Sequence, residues 1–454
     1  MSASAAGRYH LNLSLMQPGH FRTAWRLPDH DPRAVLDIGH VARLSEHAER
    51  AKIHAVFLGD GPGSTAAIAR GPESGIDPTI LFAHLFARTS RIGAIATSST
   101  TYNEPYNLAR RYSALDHVSG GRAALNAVTT LNPAAAAAFG YEQELPKAER
   151  YERAEEFLEV VTGLWGAWQP DALVADRESG LYADPDRIHP IDYRGAHFRV
   201  RGSLSLPESA QGRPLIVQAG GSAGGVRLGA RFADLVFTVA QTQDRARRFR
   251  QELAAAALAV GRPTPPQTSL GVVLLIGSTE EEARRRGEAL LDSLGEEAGE
   301  QLLAQLGIPA GSIGPEQLIT RELIAPGVAG RGSDGFQAST LALLEERSFT
   351  TRELLLRSAA GNGHRLVLGT PEQIADDLDA WFDAGTADGF TIMSADNAVD
   401  APAFLDEVVP ILQGRGSFRT EYRGATLREN YGIPFPEPAG VGATVPDRPA
   451  ASAG

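Results

Sequence analysis

The chain has 454 residues, 43% of them apolar and 22% charged, which suits a globular protein able to bury a large core. Its net charge of −12 offers no basic surface to neutralise phosphates, so neither nucleic acid nor an anionic membrane is an expected partner. A cysteine count of zero excludes disulfides, thiolate nucleophiles and cysteine-held metals, and it fits a reducing compartment.

The opening residues, MSASAAGRYH, carry no apolar stretch behind basic residues, and no run reaches the roughly 20 apolar residues of a membrane span. A cytoplasmic protein is expected. From there, apolar runs at 9–15, 53–59, 91–96, 122–128, 214–219, 234–239, 269–276 and 389–394 read as strands. Helical patterns at 32–51, 79–89, 105–119, 149–168, 224–232, 243–259, 279–306 and 371–384 fill the gaps. Eight strands, each followed by a helix, give the count of an α/β fold, the (β/α)8 TIM barrel. An open doubly wound sheet would use the same elements. Residues 169–213, rich in Asp, Pro and Gly, read as an insertion after the fourth helix. Residues 307–351 read as a second, after the seventh strand, with no clear strand of their own. One barrel domain is expected over 8–432, with a Pro- and Ala-rich, disordered tail over 433–454. The basic clusters at 245–250 and 284–286 read as solvated helix faces.

On the barrel reading, polar groups gather just after the strands, the end at which such folds bind ligands. Asp60 follows the second strand, Thr97 and Ser98 the third, Asn126 ends the fourth, and Gly220, Gly221 and Ser222 follow the fifth. Asp60 alone could equally be a turn or cap residue. The glycine turn before a helix exposes backbone N–H groups and favours an anion such as phosphate; its plain alternative is a tight turn capped by Ser222. His20, just after the first strand, is a candidate for proton transfer or substrate contact, or an idle loop residue. Asp116 and His117 fall at the opposite face and read as structural.

Other chemistries find no support. The stretch from Gly61 to Ala66 matches a relaxed dinucleotide fingerprint, but Pro62 removes a donor from the loop and no acidic residue ends a following strand. The eleven histidines form no HxxxH or HExxH pair, so no metal is expected. A GxSxG elbow is missing.

Beyond these patterns, the chain resembles the flavin-dependent monooxygenases of the bacterial luciferase-like superfamily. Within it, the chain is similar to the group that holds nitrilotriacetate monooxygenase, dibenzothiophene-sulfone monooxygenase and pristinamycin synthase. The likeness rests on AWRLP (24–28), AERAKIHAVFLGD (48–60), STTYNEPY (99–106), LDHVSGGR (115–122), NAVTT (126–130), ERYERAEEFLEVV (149–161) and GRPLIVQAGGS (212–222), and runs from about residue 10 to about 432. The resemblance implies a (β/α)8 barrel with FMN at the strand C-termini. It places Asp60, Thr97 and Asn126 at the ring system, with Tyr151 and Ser222 at the phosphate beside Gly221. Two departures stand out. Lys147 occupies the place of a usual histidine, and as a point charge it could pair with phosphate. Leu125 replaces a usual tryptophan.

The resemblance further implies oxygenation of a small organic substrate by O2 through a flavin C4a-(hydro)peroxide. The FMNH2 comes from a separate NAD(P)H:flavin reductase, and the enzyme is a homodimer or homotetramer. The insertion at 307–351 would close over the site. Two alternatives stay open: a coenzyme F420-dependent oxidoreductase on the same barrel, and a non-catalytic flavin-binding protein.

Overall fold

The computed structural model describes residues 7–436, apart from 29, 62–63, 74, 296, 310, 315, 325–340, 346 and 360–362. Strands β1 (His10–Ser14), β2 (Ala55–Leu58), β3 (Gly93–Ser99) and β4 (Ala123–Val128) pair side by side in parallel. After an antiparallel hairpin of β5 (Ile191–Arg194) and β6 (Arg199–Gly202), the sheet resumes with β7 (Leu215–Ala219), β8 (Leu235–Thr238) and β9 (Gln267–Ile276). Last comes β13 (Gly389–Ser394), which pairs with both β9 and β1 and closes an eight-stranded parallel barrel. These are the eight strands expected from the apolar runs.

Period-two alternation sorts the side chains. Leu11, Leu13 and Leu15 face outward onto a helix layer that includes Val41, Leu44, Leu108, Phe157 and Leu378. Inward, Ala55, Ile95, Ala124, Leu215, Val217 and Leu235 pack with Leu427 and Tyr431 from the short helix Leu427–Tyr431. That helix opens on a capping box, in which Thr426 accepts from the Glu429 N–H and the Glu429 carboxylate accepts from the Thr426 N–H. It stoppers the N-terminal end of the barrel, where Tyr431 donates to Asn12.

Three expectations need correction. A ninth strand, β12 (Arg365–Gly369), joins the sheet: β9 pairs with β8 over its residues 267–270 and then with β12 over 272–276. The helix expected over 279–306 is two helices, Glu280–Leu294 and Glu297–Gln305, broken at Gly295, whose φ of 88° is costly for any other residue. The stretch 307–351 is not strandless. Its β10 (Leu318–Ile319) and β11 (Phe349–Thr350) pair antiparallel over a small core of Leu302, Leu306, Ile319, Leu344 and Phe349. Residues 325–340 of that stretch and 437–454 of the expected tail lie outside the described residues.

Candidate functional site

Parallel pairing sends every barrel strand's C-terminus to the same mouth, so the expected site residues arrive on adjacent strands. Thr97 and Asn126 are register partners across β3 and β4. Both are buried, and Asn126 Nδ2 donates to Thr97 Oγ1 at 2.9 Å. Asn126 Oδ1 is left buried without a protein partner. An orphaned carbonyl of this kind is costly unless a ligand supplies the donor.

Next to β4, β7 leads into the glycine turn. Ser222 caps the helix Ala223–Phe232 by accepting from the Gly225 N–H at 3.3 Å, which realises the plain reading of this turn. The same hydroxyl also meets Tyr151 at 2.8 Å. Tyr151 comes from the helix Lys147–Trp165, and its ring lies flat against Gly224, where any added Cβ would clash. Around Gly221 the space is open, with no atom within 4 Å of where a Cβ would stand. A helix N-terminus, two hydroxyls and an open backbone together make an anion cradle. Lys147 is exposed at the first residue of the helix that carries Tyr151. Asp60 is exposed at the rim, two residues past the end of β2. Asp60, Thr97, Asn126, Gly221 and Ser222 thus sit along four neighbouring strands, β2, β3, β4 and β7.

His20 stands apart from this group. Its backbone N–H bonds the Ser394 carbonyl at the end of β13, and its Nε2 lies 3.4 Å from Ser14 Oγ on β1. Burial, with help from the nearby His364 charge, lowers its pKa to about 3. It lines a cavity of ≈ 380 Å³ between β1, β2, β8 and β13. That cavity also exposes groups that sequence reasoning missed, His364, Phe57 and Phe237. A larger surface hollow, ≈ 560 Å³, opens at the opposite end of the strands near Arg250, Pro265 and Asp388, away from every candidate residue. Among the described residues no three carboxylate or imidazole groups converge on a metal site.

The structural reading of Asp116 holds. It is buried at the N-terminal face, where it accepts from Ser209, Gln211 and the Ala123 N–H. One basic cluster is less solvated than expected, because Arg286 reaches inward to the buried Asp400 at 2.7 Å.

The luciferase-like monooxygenase family profile matches residues 16–388. The chain is 37% identical to nitrilotriacetate monooxygenase component A of Aminobacter aminovorans, over 91% of this chain and 94% of that one. It is 36% identical to dibenzothiophene-sulfone monooxygenase of Rhodococcus erythropolis, over 92% and 94%. Among solved structures, EDTA monooxygenase from Chelativorans sp. BNC1 superposes with a TM-score of 0.80 at 37% identity, covering 94% of this chain and 99% of that one. Among the described residues, no helix is long and apolar enough to cross a membrane.

Proposed function

The chain belongs to the luciferase-like monooxygenase family and is a flavin-dependent monooxygenase; from that premise we propose that it is the oxygenase of a two-component system, using FMNH2 delivered by a separate NAD(P)H:flavin reductase. The supporting observation is the unpartnered, buried Asn126 Oδ1 beside the Tyr151–Ser222 cradle, one pointing to a ring system and the other to a phosphate. The residues present therefore fit FMN. Thr97 and Asn126 would hold the isoalloxazine, Asp60 would stand at its rim, and Gly221, Ser222, Tyr151 and the Lys147 charge would take the phosphate.

When bound, reduced FMN supplies the two electrons that divide O2 between product and water. The chain's own residues do the rest. The inward apolar layer keeps bulk water from below. His20 Nε2, bonded to Ser14, keeps its ring oriented toward the mouth, and its low pKa leaves a neutral imidazole that can pass on a proton without holding a charge. Relatives act on nitrilotriacetate and on dibenzothiophene sulfone, and a small organic molecule is the substrate class carried over here.

The test pairs binding with turnover. FMN should bind and coenzyme F420 should not, in separate fluorescence titrations. With NADH and a generic flavin reductase, 18O from labelled O2 should enter the product. Tight F420 binding with hydride transfer in the absence of O2 would replace this reading with the oxidoreductase one. FMN binding without any O2-dependent turnover across sulfones, thioethers and N-substituted amines would leave a binding protein.

A further inference from the structure

The cavity beside His20 is built by a break in the sheet. At Gly271, β9 has finished pairing with β8 and has not yet begun pairing with β12. His364, the residue before β12, enters at that point. A methyl on Gly271 would come within 2.4 Å of His364 Nδ1, so only glycine leaves the ring its place. The buried Gln241, just past β8, fixes the incoming backbone by donating from Nε2 to the carbonyls of Gly363 at 3.0 Å and His364 at 3.1 Å. The result is a buried imidazole, set against the Gly271 backbone, whose ring lines the cavity.

The surroundings are aromatic and apolar. The His364 and Phe237 rings lie 5.3 Å apart, and Phe237 and Phe57 lie 5.5 Å apart, forming a continuous floor. Val35, Ile38, Leu81 and Met393 add apolar walls. His20 faces His364 with ring centroids 6.4 Å apart, too far for the rings to bond each other and close enough for one small polar group to touch both. Burial lowers His364 to about 4, so both imidazoles are neutral hydrogen-bonding groups. Arg22 is the one cation among the described lining residues. Its Nη2 pairs with the Glu73 carboxylate and donates to the Pro72 carbonyl.

We propose that this cavity is the substrate site, and that it takes a neutral molecule with an apolar, ring-sized body and one hydrogen-bonding head group held between His20 and His364. A polycarboxylate would find its charges facing two uncharged rings and a cation already neutralised. The volume of ≈ 380 Å³ accommodates one or two rings. This deepens the monooxygenase reading and rests on it.

The test is calorimetric titration of the full chain, loaded with oxidised FMN, with two probes, diphenyl sulfone and citrate. The sulfone should bind at least about tenfold more tightly than citrate. His364→Ala should weaken the sulfone about tenfold while FMN affinity, followed by fluorescence, stays within about twofold; His364→Gln should recover part of the loss. Glu73→Gln, at the cavity rim, should free Arg22 and raise citrate affinity several-fold, a gain that does not depend on how His364→Ala folds. Citrate binding as tightly as the sulfone overturns the proposal. So does a sulfone affinity indifferent to His364→Ala, or a citrate affinity indifferent to Glu73→Gln. Failure of the unaltered chain to bind FMN at all would instead remove the flavin reading underneath.

Discussion

Asn126 spends its amide on Thr97, 2.9 Å away on the neighbouring strand, and leaves its carbonyl oxygen buried with nothing to accept from. The pair is therefore costly in the free protein and useful only with a ligand. Asn126→Leu keeps the branched shape and removes the unsatisfied oxygen together with the bond to Thr97. The free chain should lose little stability in urea unfolding, the lost Thr97 bond being offset by the removed orphan oxygen, and FMN affinity should fall roughly ten- to hundredfold. A large loss of stability without a loss of FMN affinity would make Asn126 a purely structural residue.

The Tyr151–Ser222 contact makes a different claim, specific to the phosphate. Tyr151→Phe and Ser222→Ala should each weaken FMN several-fold, by about 1 kcal/mol, and together by less than the sum because the two hydroxyls act as a unit. Riboflavin, which lacks the phosphate, should bind the unaltered chain and all three variants alike. Parallel losses for riboflavin would move these hydroxyls to the ring system.

Away from the mouth, Asp116 has its pKa pushed up to about 6 by burial, against the bonds it accepts from Ser209, Ala123 and Gln211. Its folded value lies above its unfolded one, so the stability it contributes is present in acid and is lost as the pH rises through about 6. Asp116→Asn keeps the acceptor without the charge. Relative to the unaltered chain, it should gain on the order of 2–3 kcal/mol between about pH 4 and pH 8 in denaturant titrations. A stability difference that does not vary with pH would show that this carboxyl titrates normally.

Asp400 is fully buried and accepts from Arg286 at 2.7 Å, from the Ile276 N–H at 3.0 Å and from the Asp396 N–H at 2.8 Å. Arg286→Met strands that carboxylate and should cost about 3 kcal/mol at neutral pH. The double variant Arg286→Met, Asp400→Asn should recover part of it, since the buried charge is gone, although the Ile276 and Asp396 N–H groups bond different oxygens and only one of them keeps an acceptor. Equal losses in the single and double variants would mean that Arg286 matters for packing and not for charge.

The barrel was legible because its strands are short apolar runs bounded by turn residues, and that pattern survives in one dimension. The cradle was half legible: the glycine turn showed an anion-binding end, whereas pairing Tyr151 with Ser222 needed the family resemblance, since 71 residues separate them. β12 was missed although RLVLG between GNGH and TPEQ is an apolar run in the same style. The stoppering helix had a readable start signal in TLRE, a capping box. His364 carried no signal of its own. Its place follows from Gly271 and from a change of strand partner, and both are properties of the assembled sheet.

That change of partner also sets how the enzyme can diversify. Thr97 and Asn126 lie on β3 and β4, Ser222 just after β7 and Tyr151 on the helix Lys147–Trp165, whereas His364 immediately precedes β12 and Phe237 and Met393 belong to β8 and β13. Replacing the stretch that delivers His364 alters what the pocket accepts and leaves the other half of the barrel untouched. Selection on new compounds can therefore work on a handful of codons around 237, 364 and 393, with Gly271 kept, without first repairing the machinery that handles oxygen. A randomised library at those three positions should yield mostly folded proteins with changed preferences, and one at 97, 126, 151 and 222 mostly inert ones.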